Sequence, residues 1–110
     1  MRTSCYSRSG KNPRAVSIAG RAPDSYAGRE YKKLAPKKWF FKEYKLDGDE
    51  KKYIKYYYAE VLDKLDPKEV HRDLGEDAVL LCWEKPGKFC HRHIVAEWLR
   101  DKLGIIIEEL

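Results

Sequence analysis

The chain has 110 residues, 43% of them hydrophobic and 37% charged, a balance that suits one globular core under a solvated shell and excludes both a disordered segment and a pair of domains. Charge is unevenly placed: residues 1–58 hold 15 Lys/Arg against 6 Asp/Glu, or +9, and residues 59–110 hold 8 against 12, or −4, for a net charge of +5. The basic half attracts phosphate-bearing partners, although lysine-rich helix faces are also ordinary solvated surface.

In chain order, Thr3 to Ser7 and Ala15 to Ala19 are the first strand candidates, the second because Val16 and Ile18 alternate with small residues. The polar loop between them is roughly seven residues, short of the dozen or so that a parallel crossover needs, so these strands pair antiparallel or do not pair directly. An irregular stretch from Gly20 to Pro36 precedes a short helix over residues 37–45, which Leu46-Asp47-Gly48-Asp49 breaks. Asp49 then caps a helix running to about Leu65, with Ile54, Tyr58, Val61 and Leu65 as its inward stripe. Asp66-Pro67-Lys68-Glu69 opens a third helix that Gly75 stops.

The unbroken apolar run Ala78-Val79-Leu80-Leu81-Cys82 has the length and composition of a strand covered on both faces, and it predicts the centre of a parallel sheet. Pro86-Gly87 turns the chain into a helix from about Phe89 to Leu103, ended by Gly104, and Ile105 to Glu108 is the last predicted strand. The expectation is a single α/β domain over residues 1–110: a small, mainly parallel sheet flanked by helices in a Rossmann-like, three-layer arrangement.

Ligands of open parallel sheets bind beyond the carboxyl ends of the strands. Two loops qualify here, Gly20 to Pro23 after the second strand and Trp83 to Phe89 after the central one, and both border one crevice if those strands are parallel neighbours. Arg92 in the first turn of the following helix, with Arg21 opposite, forms a candidate clamp for phosphate or carboxylate. The alternative for Arg92 is a salt bridge to a carboxylate such as Glu84. Trp83, Tyr6, Tyr26 and Trp39 are candidates for stacking on a base or sugar.

Cys90 is a candidate nucleophile, since a helix start and a neighbouring imidazolium both favour a thiolate. Its alternative is a small buried packing residue, and Arg92 follows it too closely for a thiol-phosphatase loop. His91 is a candidate general acid or base, with Glu84 orienting it or carrying a second proton, or else a structural cap. Cys82 ends an apolar strand and reads as core. No metal or cofactor is expected, because His91 and His93 point about 200° apart on a helix and cannot readily share an ion.

No apolar run is long enough for a membrane span, and the start Met1-Arg2-Thr3-Ser4-Cys5 lacks the apolar stretch of a secretory signal. With an odd set of three cysteines, the expectation is a cytoplasmic protein with no membrane partner and three reduced thiols.

From Leu80 to His93, through Cys82-Trp83-Glu84-Lys85 and Phe89-Cys90-His91-Arg92, the chain resembles the small proteins grouped as domain of unknown function four-eighty-eight, whose signature is Leu-Cys-aromatic-Glu-Lys followed by Phe-Cys-His-Arg. Val16-Ser17-Ile18 with Arg21 and Pro23, and Tyr31 with Leu34-Ala35-Pro36, extend the resemblance to nearly the whole chain. Ala19-Gly20 before Arg21 departs from the family's pattern, which affects the local loop geometry. The resemblance implies an α/β fold and a functional role for Cys82, Glu84, Cys90, His91 and Arg92, without naming an activity.

Three readings stand. In one, the domain binds a phosphate-bearing ligand, a nucleotide or nucleic acid, through Arg21, Arg92 and Trp83. In another, it is an enzyme acting on a nucleotide-like or phosphorylated substrate with Cys90, His91 and Glu84. The third is a protein-interaction module using the basic first half.

Overall fold

The computed structural model describes all 110 residues. Five strands, Arg2–Cys5 (β1), Ala15–Ser17 (β2), Arg29–Glu30 (β3), Val79–Cys82 (β4) and Glu108–Glu109 (β5), form one sheet in the order β3-β2-β4-β1-β5. Every pairing is parallel. Five helices accompany it: Tyr6–Ser9 (α1), Lys38–Asp47 (α2), Glu50–Glu60 (α3), Pro67–Leu74 (α4) and His91–Leu103 (α5). The expected three-layer α/β architecture is present, with β4 at the sheet centre.

β1 and β2 do not pair: β4 lies between them, and the connection holds only the single turn of α1. That placement reconciles a short link with a wholly parallel sheet.

The two outer layers are unequal. Val16, Ile18 and Leu80 meet α2 to α5 in one core that includes Phe40, Tyr57, Val70 and Trp98. On the other face Ala15, Val79 and Leu81 are covered by Tyr6, Tyr26 and Leu110. Every residue of β4 is therefore buried, which explains its unbroken apolar sequence.

Local signals set the helix ends. The Asp49 carboxylate accepts the Lys52 backbone N–H, and Asp66 accepts that of Lys68 with Pro67 at the first helical position. Gly104, at φ +71°, takes the left-handed conformation that closes α5.

Several details differ from the sequence expectation: the first strand ends at Cys5, where Tyr6 and Ser7 turn into α1, and the stretch from Gly20 to Pro36 is not wholly irregular, since Arg29–Glu30 pair with β2. α3 stops at Glu60 and a 3-10 turn covers Leu62–Lys64. Its buried residues are Tyr53 and Tyr57, whereas Ile54 is exposed. The cause is an aromatic pack: Tyr53 stacks on Tyr57 and meets Phe40 edge-on, and the Tyr57 hydroxyl donates to the Leu34 carbonyl at 2.6 Å. The last strand is confined to Glu108–Glu109, at the sheet edge beside β1. No helix is long and apolar enough to cross a membrane.

Candidate functional site

β2 and β4 are parallel neighbours, with Val16 opposite Leu80 and Ser17 opposite Leu81, and the Ile18 N–H prolongs their pairing by donating to the Leu81 carbonyl at 3.0 Å. The loops that leave these strands then diverge and open a cavity of about 970 Å³. Gly20 and Arg21 line it from the β2 side, Trp83, Glu84 and Phe89 from the β4 side, and Lys38, Phe41, Tyr44 and Lys45 from α2. Its buried members are Ala19, Tyr53, Cys82, Cys90 and His91. This is the crevice that the two-loop argument places at the carboxyl end of the sheet.

The α2 wall is absent from the sequence reading. Phe41 and Tyr44 are one helical turn apart, and Lys38 and Lys45 flank them on the same side, a spacing that marks a mixed aromatic and basic face. Which cavity that face borders depends on long-range packing: Tyr44 and Tyr53 both hold Phe89, with ring centroids 5.1 and 5.4 Å away.

Trp83 is 54% exposed at the cavity's edge, and its indole N–H donates to the Arg21 carbonyl at 2.7 Å, tying the two loops together. The Arg21 guanidinium is exposed and only loosely paired with Asp24, at 3.5 Å. Of the other expected stacking residues, Tyr6 meets Trp83 edge-on at 5.3 Å and Tyr26 packs on Tyr6, both over the thin face of the sheet, while Trp39 packs on Phe40 and Tyr56. None of these three lines the cavity; Phe41, Tyr44 and Phe89 supply its aromatic wall instead.

His91 and Arg92, adjacent in the first turn of α5, face different surroundings. Arg92 is fully buried: its Nη2 and Nε donate to the Glu109 carboxylate at 2.7 and 3.1 Å, and its Nη1 to the Glu84 carbonyl at 2.7 Å and to Cys82 Sγ at 3.1 Å. Its salt-bridge partner is thus Glu109 on the edge strand and not the Glu84 carboxylate, because Glu84 offers its backbone. Burial raises the Glu109 pKa, but the hydrogen bonds from Arg92 and Thr3 outweigh it and hold the carboxyl below its ordinary value.

The His91 ring packs against Tyr57, centroids 5.6 Å apart. Its Nε2 lies 2.7 Å from the Ile18 carbonyl, an acceptor only, so Nε2 carries the proton and Nδ1 presents a lone pair toward Cys90 Sγ at 3.8 Å. The carbonyl of Ile18, not Glu84, orients this ring. Burial, opposed by the Ile18 hydrogen bond and reinforced by Arg92, lowers the His91 pKa to about 4, so the imidazole is neutral at pH 7. His93 lies on another side of α5, as the helical spacing requires, and burial and Arg92 lower its pKa too.

The expectation of three unpaired thiols is corrected. The structure joins Cys82 to Cys90 and leaves Cys5 free and buried. The reason is spatial: β4 ends at Cys82 and the loop returns the chain so that Cys90, at the start of α5, stands beside it. Cys82 accordingly belongs to the site lining and not only to the core.

Cys82 Sγ, Cys90 Sγ and His91 Nδ1 all lie within 4.8 Å of one another. On reduction of the Cys82–Cys90 bond the arrangement offers two soft sulfur donors, one imidazole lone pair and an enclosed space beside them, bordered by cations and aromatic faces. A family model described as the active DUF488-N3 subclade matches residues 6–103. No curated protein and no solved structure matches the chain.

Proposed function

Because the chain belongs to the DUF488 family, in its active N3 subclade, we propose that the cavity at the carboxyl ends of β2 and β4 takes up a phosphate-bearing small molecule of nucleotide size. The observation that carries this reading is the makeup of the cavity: about 970 Å³ at the end of the sheet where parallel folds bind ligands, with Arg21, Lys38 and Lys45 around aromatic faces. The cations suit a phosphate and the Trp83, Phe41 and Tyr44 rings suit a base or sugar. Enclosure favours a mononucleotide over a nucleic-acid strand, which needs an open groove. Arg92 acts here through the site's framework, holding Cys82 and the Glu84 backbone.

A second reading, that the ligand is a substrate, draws on Cys90 and the His91 Nδ1 beside it, and on the family description's word "active". In that reading, with the Cys82–Cys90 bond reduced to two thiols, Cys90 is the nucleophile, His91 receives its proton, and the Glu84 carboxylate at the cavity wall is a second proton carrier.

The test is titration with mononucleotides, cyclic dinucleotides and short oligonucleotides, followed by tryptophan fluorescence with Trp83→Phe as control for Trp39 and Trp98. Binding by a mononucleotide should weaken gently as salt rises and fall about tenfold in Arg21→Ala or Lys38→Ala, the effect of losing one charge-assisted hydrogen bond. A steep salt slope with oligonucleotides alone would transfer the reading to nucleic acid. Absence of salt-sensitive binding by any of the three would leave the protein-interaction role. Cys90→Ser that retains binding yet abolishes turnover of the bound compound selects the enzyme.

A further inference from the structure

We propose that Cys82, Cys90 and His91, with the two cysteines reduced, form a binding site for a divalent zinc-class metal ion whose fourth position opens to the cavity. The inference does not depend on which compound the cavity accepts.

Donor geometry is the first support. A tetrahedral ion with bonds of about 2.3 Å to sulfur and about 2.0 Å to nitrogen spaces its donors roughly 3.5 to 3.8 Å apart. Nδ1 of His91 stands 3.8 Å from Cys90 Sγ, and all three donor atoms fall within 4.8 Å; the two sulfurs, joined in the structure, are freed to move apart on reduction. The Cα atoms of Cys82 and Cys90 are 7.1 Å apart, beyond the roughly 4.4 to 6.8 Å usual for a disulfide. The backbone therefore holds the two residues at a spacing suited to sharing an ion.

The second support is the direction of the His91 lone pair, which faces the cysteine sulfur. The Ile18 carbonyl fixes the His91 proton on Nε2, so Nδ1 can only accept, and its neighbour is Cys90 Sγ. In the reduced protein the Cys90 thiol shares its proton with this lone pair, and an ion bound between the two atoms displaces that proton. A buried acceptor facing two sulfurs is completed by a cation. A ring N–H given to a backbone carbonyl is also the usual outer support of a metal-bound histidine.

Charge balance is the third. Two thiolates and a neutral imidazole neutralise a divalent ion, while Arg92 is already neutralised by Glu109. The Arg92 Nη1–H donated to Cys82 Sγ supports the thiolate form without leaving a net buried charge. Sulfur and imidazole donors select zinc-like ions over magnesium or calcium. The reduced site takes up the ion as two thiols release two protons, with no electron transferred.

His91 and His93 lie on different sides of α5 and do not share the ion. The operative set is Cys82 from the end of β4 with Cys90 and His91 from the start of α5.

The experiment is a titration of the folded protein, reduced with a phosphine that does not chelate metals, first with zinc against a chromophoric chelator and then with cobalt(II). One equivalent of zinc should bind with proton release, and cobalt should give the thiolate charge-transfer and visible bands of a tetrahedral site. Cys82→Ser and Cys90→Ser should each bind at least about tenfold more weakly, since loss of an outer-shell partner alone has that effect. Cys5→Ser should bind as the native chain does. Should the serine variants fail to fold, the cobalt spectrum of the native chain decides by itself. Folded, reduced protein that takes up neither ion at one equivalent overturns the inference, as does uptake that persists in Cys82→Ser and vanishes in Cys5→Ser. No nucleotide enters this titration, so its failure is separate from failure of the ligand reading.

Discussion

The sheet carries a cavity at each end, and the two are built from different chemistry. Where β2, β3 and β4 begin, a space of about 830 Å³ is lined by polar loop residues that include Arg14, Arg29, Glu76 and Asp77. Its arginines are all paired: Arg14 meets Asp77 at 2.9 Å, and Arg29 donates to the Leu74 and Asp73 carbonyls at the end of α4. Where β2 and β4 end, the cavity holds two sulfurs, an imidazole lone pair and five aromatic side chains. A parallel sheet sends its helix starts and outgoing loops to the same end, so side chains with free valence accumulate there. The opposite end collects helix carbonyls, which arginines satisfy.

The comparison breaks most sharply at Arg92. Arg92→Ala removes a fully buried cation that joins Glu109, the Glu84 backbone and Cys82, and it leaves the Glu109 carboxylate with Thr3. Loss of about 3 to 5 kcal/mol of stability is expected by denaturant unfolding, as for other buried pairs broken from one side. Protonation of Glu109 weakens the same link. Its folded pKa lies below the ordinary carboxylate value, so the stabilisation is complete above the unfolded pKa and is lost as pH falls through the folded one. Acid unfolding midpoints should show less pH dependence in Glu109→Gln; an unchanged profile would mean that this carboxylate contributes nothing.

Much of this organisation is legible in the sequence, because caps and apolar runs are local signals. Asp49, Asp66-Pro67 and Gly104 mark helix ends through hydrogen bonds within a turn of themselves, and the run from Val79 to Cys82 announces a doubly covered strand. The crevice follows once β2 and β4 are neighbours. The Arg92 partner does not, since Glu109 is 17 positions further on and reaches it only through the register of β5 with β1. The Cys82 and Cys90 pair is hidden for a related reason: an odd cysteine count says nothing about which two the fold brings together. The buried face of α3 departs from the aliphatic spacing of Ile54 because the stacked Tyr53 and Tyr57 rings fill the core instead.

A smaller effect is expected at Tyr57, which separates the fabric of the carboxyl-end site from its chemistry. Tyr57→Phe keeps the ring against His91 but leaves the buried Leu34 carbonyl without its donor. The expected cost is about 1 to 2 kcal/mol in unfolding. Metal uptake by the reduced protein should not change, since the ring and the Ile18 carbonyl that orient His91 are intact. A loss of uptake matching the loss of stability would mean that the site responds to loosening of the core and not to its donors.

The smallest effect belongs to the other end of the sheet. Arg14 and Asp77 form a short ion pair, but their side chains are 62% and 74% exposed. Water screens such a pair and ordering two side chains opposes it, so a double-mutant cycle of Arg14→Ala and Asp77→Ala should give a coupling of about 0.2 to 1 kcal/mol. Arg14 also supplies the carbonyl that accepts the Val79 N–H at the entry to β4. That bond uses backbone alone, so alanine at position 14 retains it. The cycle therefore reports the ion pair without disturbing the strand, and it should shrink further at high salt. Neither single variant should alter nucleotide or metal titrations at the far end. A coupling of several kcal/mol, or a change in either titration, would mean that the amino-end cavity is part of the working site and that the two ends are not chemically distinct.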